Sequence, residues 1–137
     1  MTTLTLVRGL PGSGKSTYAN QRVNSQTQHV EADMYFIDRN GNYAFDPSRL
    51  HAAHVWCLDR TTAFLIGGTS VMVTNTFTTM KEMQAYLDVA RRLDIKLKFV
   101  EMRTQYGSIH GVPEATMEKM RNRWVTLPED FNVKVIQ

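Results

Sequence analysis

The fold class of this chain is decided by residues 4–17, which read Leu4-Thr5-Leu6-Val7-Arg8-Gly9-Leu10-Pro11-Gly12-Ser13-Gly14-Lys15-Ser16-Thr17. Residues 4–8 are mostly aliphatic or β-branched, which predicts a short strand. From Lys15 to Asn24, Tyr18, Ala19 and Val23 lie on or near one helical face, which predicts a helix. The glycines between these segments give the order strand, glycine loop, helix.

Residues 9–16 of this stretch match the Walker A pattern, in which a glycine and four residues precede Gly-Lys-Ser. Glycines allow successive backbone amides to point at a polyphosphate beside the positive end of the following helix. Lys15 would then reach the β and γ phosphates, and the Ser16 hydroxyl would help to hold Mg²⁺. We therefore expect residues 9–17 to bind ATP, with Thr17 near the α phosphate. The alternative is a glycine turn that only caps a helix.

Length and composition fit one globular domain. The chain has 137 residues, of which 42% are hydrophobic and 21% charged, so we expect a single domain over 1–137. Its one cysteine, Cys57, excludes a disulfide framework and suits a reducing cytoplasm. No apolar run is long enough to span a bilayer, so we expect a cytoplasmic protein with no membrane partner. The net charge of +3 permits phosphate-bearing partners without requiring them.

Strands and helices alternate along the rest of the sequence. Further strands are predicted over 28–32, 71–73, 97–102 and 133–136. Helices are predicted to begin at Asp46-Pro47, at Thr79 with Glu82 in a capping box, and at Pro113. The first of these ends at Gly67-Gly68. Such alternation predicts a parallel sheet covered on both faces, which is a three-layer α/β/α architecture.

Two finer features are also predicted. Residues 35–37 and 43–45 flank Asn40-Gly41, which suits a tight hairpin turn because both residues tolerate a positive φ. Helical spacing predicts two buried stripes, one for each of the central helices. They are Leu50, Ala53, Cys57, Thr61 and Phe64, and then Met80, Met83, Leu87 and Ala90.

The chain resembles the small P-loop kinases related to the 5′-hydroxyl polynucleotide kinase domain. Besides the Walker pattern, the resemblance is carried by Ala32-Asp33, by Thr74-Asn75-Thr76, and by His110-Gly111-Val112-Pro113 followed by Met117, Met120, Arg123 and Trp124. It covers nearly the whole chain. It implies an adenylate-kinase-like P-loop NTPase fold with a mainly parallel sheet of about five strands, ATP and Mg²⁺ as cofactors, and a short lid over 104–113.

The resemblance implies that Asp33 takes the proton of the acceptor hydroxyl as the γ phosphoryl group is transferred. Chemistry favours a carboxylate here, because a neutral hydroxyl is a poor nucleophile. The alternative for Asp33 is a solvated acid at a strand end or a helix cap. Glu31 is its nearest competitor, because alternation along the strand places it on the same side.

Two positions depart from the pattern of the related kinases. Where many P-loop enzymes have an aspartate after the third strand, this chain has the neutral Asn75. The segment before Gly-Val-Pro lacks the usual lid arginine, since it reads Tyr106-Gly107-Ser108-Ile109. Arg103 and Arg121 are the candidates to replace that arginine in catalysis. The alternative for each is a solvated surface arginine.

Four residues are candidates for the acceptor site. Tyr35 and Arg39, near the Asn40-Gly41 turn, suit stacking on a base and contact with a phosphate. They are equally consistent with a core aromatic residue and a surface turn. Asn75 and Thr76 follow the third strand, at the end where parallel sheets bind ligands.

Other polar residues suggest weaker functions. His51 and His54 have the spacing of a metal pair, but no carboxylate accompanies them. His110 could touch the nucleotide or form a structural hydrogen bond. A basic cluster formed by Arg91, Arg92, Lys96 and Lys98 could guide a nucleic acid or be a solvated face.

The sequence therefore predicts an ATP-dependent phosphotransferase whose acceptor is a 5′-hydroxyl of a nucleic acid or nucleotide. Two alternatives stay open, because a fold does not select a substrate. One is a kinase for a small metabolite. The other is an ATP-binding interaction module with little or no transfer, which the missing lid arginine and Asn75 favour.

Overall fold

The computed structural model describes residues 2–104 and 112–137. Within them, five strands form one sheet in the order β2-β3-β1-β4-β5, with every neighbouring pair parallel. The strands are β1 (Thr3–Arg8), β2 (Thr27–Val30), β3 (Ser70–Asn75), β4 (Lys96–Met102) and β5 (Lys134–Ile136). The predicted parallel sheet is confirmed.

The two faces of the sheet carry two separate cores, because successive side chains of a strand point to opposite sides. On one face Val7 and Val100 pack with Ala19 of α1 (Lys15–Asn20). On the other, Leu4 and Leu6 join the larger core formed with α2 (Leu50–Ile66) and α3 (Met80–Arg92). Helices thus cover both faces, as predicted for three layers. A fourth helix, α4 (Glu114–Arg123), precedes β5.

Helix α1 is shorter than the predicted helix to Asn24. It ends at Asn20, because Asn24 is held in a tight turn in which it exchanges backbone hydrogen bonds with Thr27. The Asn24 side chain also accepts from the backbone amide of Gln26 at 2.7 Å. Val23 is 41% exposed, so extending the helix would bury little apolar surface.

The predicted hairpin over 35–45 is wrong in its details. Ala32–Phe36 form a 3-10 helix that buries Ala32 and Phe36, and the strand pairing is reduced to one bridge between Ile37 and Tyr43. The turn itself is present. Gly41 has φ +81° while Asn40 does not enter the positive range, because the Asp38 carboxylate accepts from the backbone amides of Asn40 and Asn42 and shapes the turn.

The predicted helix starts are confirmed where side chains supply the missing partners of the first turn. Asp46 accepts from the amide of Ser48 and caps a short 3-10 helix, Pro47–Arg49, that leads into α2 at Leu50. Thr79 and Glu82 form a complete capping box at the start of α3.

The predicted stripes are largely confirmed, since Phe64, Met80 and Leu87 are partly buried and pack against the core, and Leu50 is the exception. Leu50 is 42% exposed. The buried residues of α2 are Ala53, Cys57, Thr61 and Leu65, and those of α3 are Met83, Tyr86, Val89 and Ala90.

Because all strands are parallel, their carboxyl ends meet at one edge of the sheet. The glycine loop follows β1 at this edge, Glu31 and Asp33 follow β2, and Asn75 ends β3. The predicted lid over 104–113 falls largely on residues 105–111, which lie outside the described residues. His110 is one of them.

Candidate active site at the carboxyl edge of the sheet

The glycine loop forms a closed turn between β1 and α1. The amide of Ser13 donates to the carbonyl of Leu10 at 3.1 Å. Gly12 and Gly14 have φ values of 82° and 87°, a range that side chains with a Cβ rarely adopt. Gly14 is the N-cap residue of α1. The loop therefore has the backbone of an anion cradle at a helix amino terminus.

Lys15 is the charged group of this loop. Its Nζ donates to the carbonyl of Leu10 at 3.1 Å. Burial lowers the pKa of Lys15 to about 8, although the nearby carboxylates of Glu31 and Asp33 oppose the shift. A bound polyphosphate would place more negative charge beside this ammonium group and would favour its protonated form.

Ser16 and Thr74 meet at one carboxylate. The Ser16 hydroxyl donates to Oε2 of Glu31 at 2.7 Å, and the Thr74 hydroxyl donates to the same oxygen at 2.8 Å. Behind them, His29 Nε2 lies 2.7 Å from Thr74 Oγ1. Burial lowers the pKa of His29 despite the opposing charge of Glu31. Thus the structure joins the loop, β2 and β3 through Glu31.

Asp33 lies in the 3-10 helix that follows Glu31, and it is half-buried. Its Oδ1 accepts from the Tyr43 hydroxyl at 3.4 Å. Burial, with the nearby charge of Asp33, raises the pKa of Tyr43, so this phenol stays protonated as a donor. Glu31 and Asp33 both raise the pKa of Lys15 against the effect of burial, so both carboxylates lie near its ammonium group.

An aromatic cluster lies beside Asp33. Tyr43 and Phe45 are stacked with 11° between their planes and are 46% and 49% exposed. Phe36 packs edge-on against Phe45 with 5.1 Å between ring centroids. Sequence reasoning named Tyr43 and Phe45 only as strand residues. Their spacing of two, with small Ala44 between them, was the available signal that both rings share one side.

The predicted acceptor residues are only partly brought together. Tyr35 is half-buried at the edge of this aromatic cluster, with 5.4 Å between its ring centroid and that of Phe36. Its hydroxyl accepts a hydrogen bond from Arg49. Arg39 lies exposed in the turn. Sequence reasoning missed Arg49, which extends the cluster with a cation.

Asn75 connects β3 to the segment that carries Asp33. Its Oδ1 accepts from the backbone amide of Ala32 at 3.2 Å, and its Nδ2 faces Cys57 Sγ at 3.9 Å. The amide oxygen is therefore used in positioning the first turn of the 3-10 helix. Thr76 follows Asn75 in a half-buried position.

One cavity of about 270 Å³ is lined by Leu10 of the loop, Trp124, Arg103 and Arg121. The two arginines are the predicted substitutes for the lid arginine. Arg103 donates to Oε2 of Glu101 at 2.6 Å, and Arg121 pairs with Glu114. Both side chains are about half exposed, at 53% and 45%. The structure places them beside the loop, each paired with a carboxylate.

A buried ion pair supports this cavity. Arg8 is fully buried, donates to Oε1 of Glu101 at 3.1 Å, and lies 3.8 Å over the ring of Trp124. It also donates twice to the carbonyl of Phe77. Sequence reasoning missed this network, although a charged residue in an otherwise apolar strand was its signal.

The remaining candidates are exposed side chains at two other places in the fold. His51 and His54 are exposed on α2, and residues 2–104 and 112–137 hold no group of three metal-binding side chains. Arg91, Arg92, Lys96 and Lys98 are exposed near the amino end of β4, at the opposite edge of the sheet. No helix in the described part of the chain is long and apolar enough to cross a membrane.

Comparison with known proteins agrees with this geometry. A family model described as an AAA domain matches residues 4–110. Human NEDD4-binding protein 2 is 33% identical over 140 aligned positions, which cover 91% of this chain. The chain spans 8% of the length of that relative.

Solved structures share the fold at lower identity. Kti12 of Chaetomium thermophilum, in complex with ADP-AlF3, has a TM-score of 0.67 and 13% identity over 97% of this chain and 88% of that one. A sugar kinase of Janibacter sp. HTCC2649 has a TM-score of 0.65 and 19% identity over 99% and 85%. A chain of the Pnkp1/Rnl/Hen1 RNA repair complex has a TM-score of 0.61 and 18% identity over 95% and 41%. The fold is therefore that of the P-loop kinases.

Proposed function

The chain belongs to the family of AAA domains whose model matches residues 4–110, and we propose that it transfers the γ phosphoryl group of ATP to a hydroxyl group. The acceptor is the 5′-hydroxyl of a nucleic acid or nucleotide. The loop amides and Lys15 bind the phosphates. Arg103 and Arg121, which line the cavity beside Leu10, are the cations available to the transferred group.

The observation that carries the proposal is the position of Asp33, which follows β2 at the edge of the sheet where the glycine loop lies and accepts from the Tyr43 hydroxyl at 3.4 Å. In the reaction the acceptor oxygen forms a bond to the γ phosphorus while the bond to the β–γ bridging oxygen breaks, and ADP leaves. The proton of the acceptor passes to the Asp33 carboxylate. A protein that only binds ATP has no need of a carboxylate at this place.

Magnesium fits the oxygen donors at this edge. The Ser16 hydroxyl and the Glu31 carboxylate lie 2.7 Å apart, and Mg²⁺ prefers such oxygen ligands together with substrate phosphates and water. When bound, the ion neutralises charge on the β and γ phosphates. Ser16 is the loop residue that would hold it.

The aromatic cluster supports a base-bearing acceptor. Tyr43 and Phe45 expose nearly half of their surface beside Asp33, and bases stack on such rings. Arg49, which contacts Tyr35, adds a cation suited to a phosphate of the acceptor.

The test is transfer of γ-labelled phosphate from ATP to a panel of 5′-hydroxyl DNA, 5′-hydroxyl RNA, nucleosides and sugars. Asp33→Asn should keep ATP binding and lose transfer by at least about 10²-fold, the usual scale of a general base. Lys15→Ala should lose both. The matched control is Asp88→Asn, because Asp88 is an exposed acid on α3.

Each result of this panel has a distinct meaning. Label on oligonucleotides, lost in Asp33→Asn, supports the proposal. Label on a sugar alone would replace it with a metabolite kinase. ATP binding with no label on any acceptor would replace it with an ATP-dependent interaction module.

A further inference from the structure

Glu31 lies where three parts of the site meet. It follows β2 directly, and one of its oxygens, Oε2, accepts from the hydroxyls of Ser16 and Thr74 at 2.7 and 2.8 Å. Its side chain is 24% exposed. A carboxylate is thus held, partly buried, against the serine of the phosphate-binding loop.

Neighbouring polar groups at this edge are already engaged elsewhere. The Asn75 amide oxygen accepts from the Ala32 backbone at 3.2 Å. Asp33 is held by Tyr43. Glu31 is therefore the carboxylate that contacts Ser16 within the described residues.

This arrangement matches the chemistry of a nucleotide-bound magnesium ion. Mg²⁺ is usually held by one or two carboxylates together with substrate phosphates, and it retains several waters. The described residues hold no group of three metal-binding side chains. Phosphate oxygens would therefore have to complete the site, so the ion should bind strongly only with the nucleotide.

We propose that Glu31 is the carboxylate that holds Mg²⁺ beside Ser16 when a nucleotide is bound. The end of β3 carries no acid, because Thr74 and Asn75 are both neutral. Glu31, at the end of β2, supplies the negative charge instead. The two acids then have separate tasks, since Glu31 serves the metal and Asp33 serves the acceptor. This inference rests on the nucleotide binding contained in the proposed function, but not on transfer.

The experiment compares ATP binding by calorimetry in Mg²⁺ and in EDTA for the wild type, Glu31→Gln and Asp33→Asn. Glutamine keeps an oxygen for the Ser16 and Thr74 hydroxyls and removes the charge. The measured quantity is the Kd in EDTA divided by the Kd in Mg²⁺. We expect Glu31→Gln to lower this ratio about 10-fold or more, as loss of a group around a metal typically does, with the Kd in EDTA unchanged or lower. Asp33→Asn should keep the wild-type ratio.

A second readout reports the metal directly. Mn²⁺ added with ATP should give a broadened protein-bound EPR spectrum in the wild type and in Asp33→Asn, and that spectrum should change or vanish in Glu31→Gln. Thermal melting of each variant shows that the fold is intact.

The outcomes separate this inference from the proposed function. A Glu31→Gln ratio equal to that of the wild type overturns the inference even if transfer occurs, as does a wild type that shows no effect of Mg²⁺. A lowered ratio supports it even if no acceptor is phosphorylated. Loss of transfer in Glu31→Gln with an unchanged ratio would make Glu31 the base and also overturn the metal assignment.

Discussion

The hydroxyl of Tyr43 donates a hydrogen bond to Oδ1 of Asp33 across a turn of the chain, at 3.4 Å. The bond ties a stacked aromatic pair, Tyr43 and Phe45, to the carboxylate that we propose as the base. The surface that would hold an acceptor is thereby linked to the group that would activate it.

Tyr43 should act on turnover in two separable ways. In Tyr43→Phe the ring remains and the hydrogen-bond donor to Asp33 is lost. We expect kcat to fall, but by less than the loss of about 10²-fold that removal of the base itself would cause. KM for the acceptor should stay nearly unchanged. In Tyr43→Ala the ring is lost as well, and KM should rise by about 5- to 150-fold because base stacking contributes about 1–3 kcal/mol. Steady-state kinetics with the acceptor found in the panel measures both. Equal KM values in the two variants would contradict stacking on Tyr43.

Local patterns in the sequence predict the loop and the helix starts because each depends on a few neighbouring residues. The glycine loop needs only its own spacing, and the capping box joins Thr79 to Glu82 within one turn. Asp33 became the candidate base through the resemblance to the polynucleotide kinases, which places an acid after the second strand, and its role remains a prediction.

The contacts that complete the site depend on the pairing of distant strands. Arg8 and Glu101 face each other only because β1 and β4 pair in that register. The Ser16–Glu31–Thr74 contact likewise requires β2 and β3 to be neighbours. Alternation placed Glu31 and Asp33 on one side of a strand, but it could not show that the chain turns into a 3-10 helix at Ala32. The different partners of the two acids follow from that turn.

Gly9 should be intolerant of any side chain. A Cβ at this position would lie 2.3 Å from Ser13 Oγ and 3.0 Å from the carbonyl oxygen of Met102. Ser13 is fully buried and Met102 belongs to β4, so a methyl group at Gly9 would displace either the loop or the strand. We expect Gly9→Ala to weaken ATP binding at least about tenfold and to cost about 1–3 kcal/mol of unfolding free energy. Calorimetry and urea unfolding measure the two effects.

Gly67→Ala is the matched control for Gly9→Ala. Gly67 ends α2 with φ −77°, and a Cβ there would meet nothing nearer than the carbonyl oxygen of Phe64 at 3.5 Å. This variant should bind ATP like the wild type and change stability by no more than about 0.5 kcal/mol. A Gly9→Ala variant that behaved like Gly67→Ala would show that the loop can relax around a methyl group.

Arg8 should be the most costly charged residue to remove. Among the described residues, Arg8→Met leaves the half-exposed Arg103 as the cation paired with the Glu101 carboxylate. It also removes two hydrogen-bond donors from the Phe77 carbonyl. Breaking a buried pair costs about 3–5 kcal/mol, much of it from the charge left behind. The double variant Arg8→Met/Glu101→Gln should therefore be more stable than Arg8→Met alone. Urea unfolding of the four-member cycle measures this, and simple additivity of the two single changes would contradict it.

The capping box of α3 should make stability depend on pH in the acid range. Burial acts to raise the pKa of Glu82, but hydrogen bonds from Thr78 and Thr79 outweigh it, so the pKa lies below its ordinary value of 4.5. The folded protein then binds this proton less readily than the unfolded chain does. Ionised Glu82 therefore contributes stability above about pH 4.5, and that stability is lost as the pH falls through the lower folded pKa.

The measurement for Glu82 is the unfolding free energy of the wild type and Glu82→Gln from pH 7 to pH 3. Glutamine keeps an oxygen for the capping box and cannot ionise. The wild type should be more stable by about 0.5–1 kcal/mol at neutral pH, a typical cap contribution, and the difference should shrink toward zero in acid because protonated glutamate resembles glutamine. Glu118→Gln, on the exposed side of α4, is the matched control, and its difference from the wild type should depend less on pH. If the stability difference between the wild type and Glu82→Gln grew on acidification, the folded state would favour the charged carboxylate less than the unfolded chain does. The hydrogen bonds from Thr78 and Thr79 to Glu82 argue against that result.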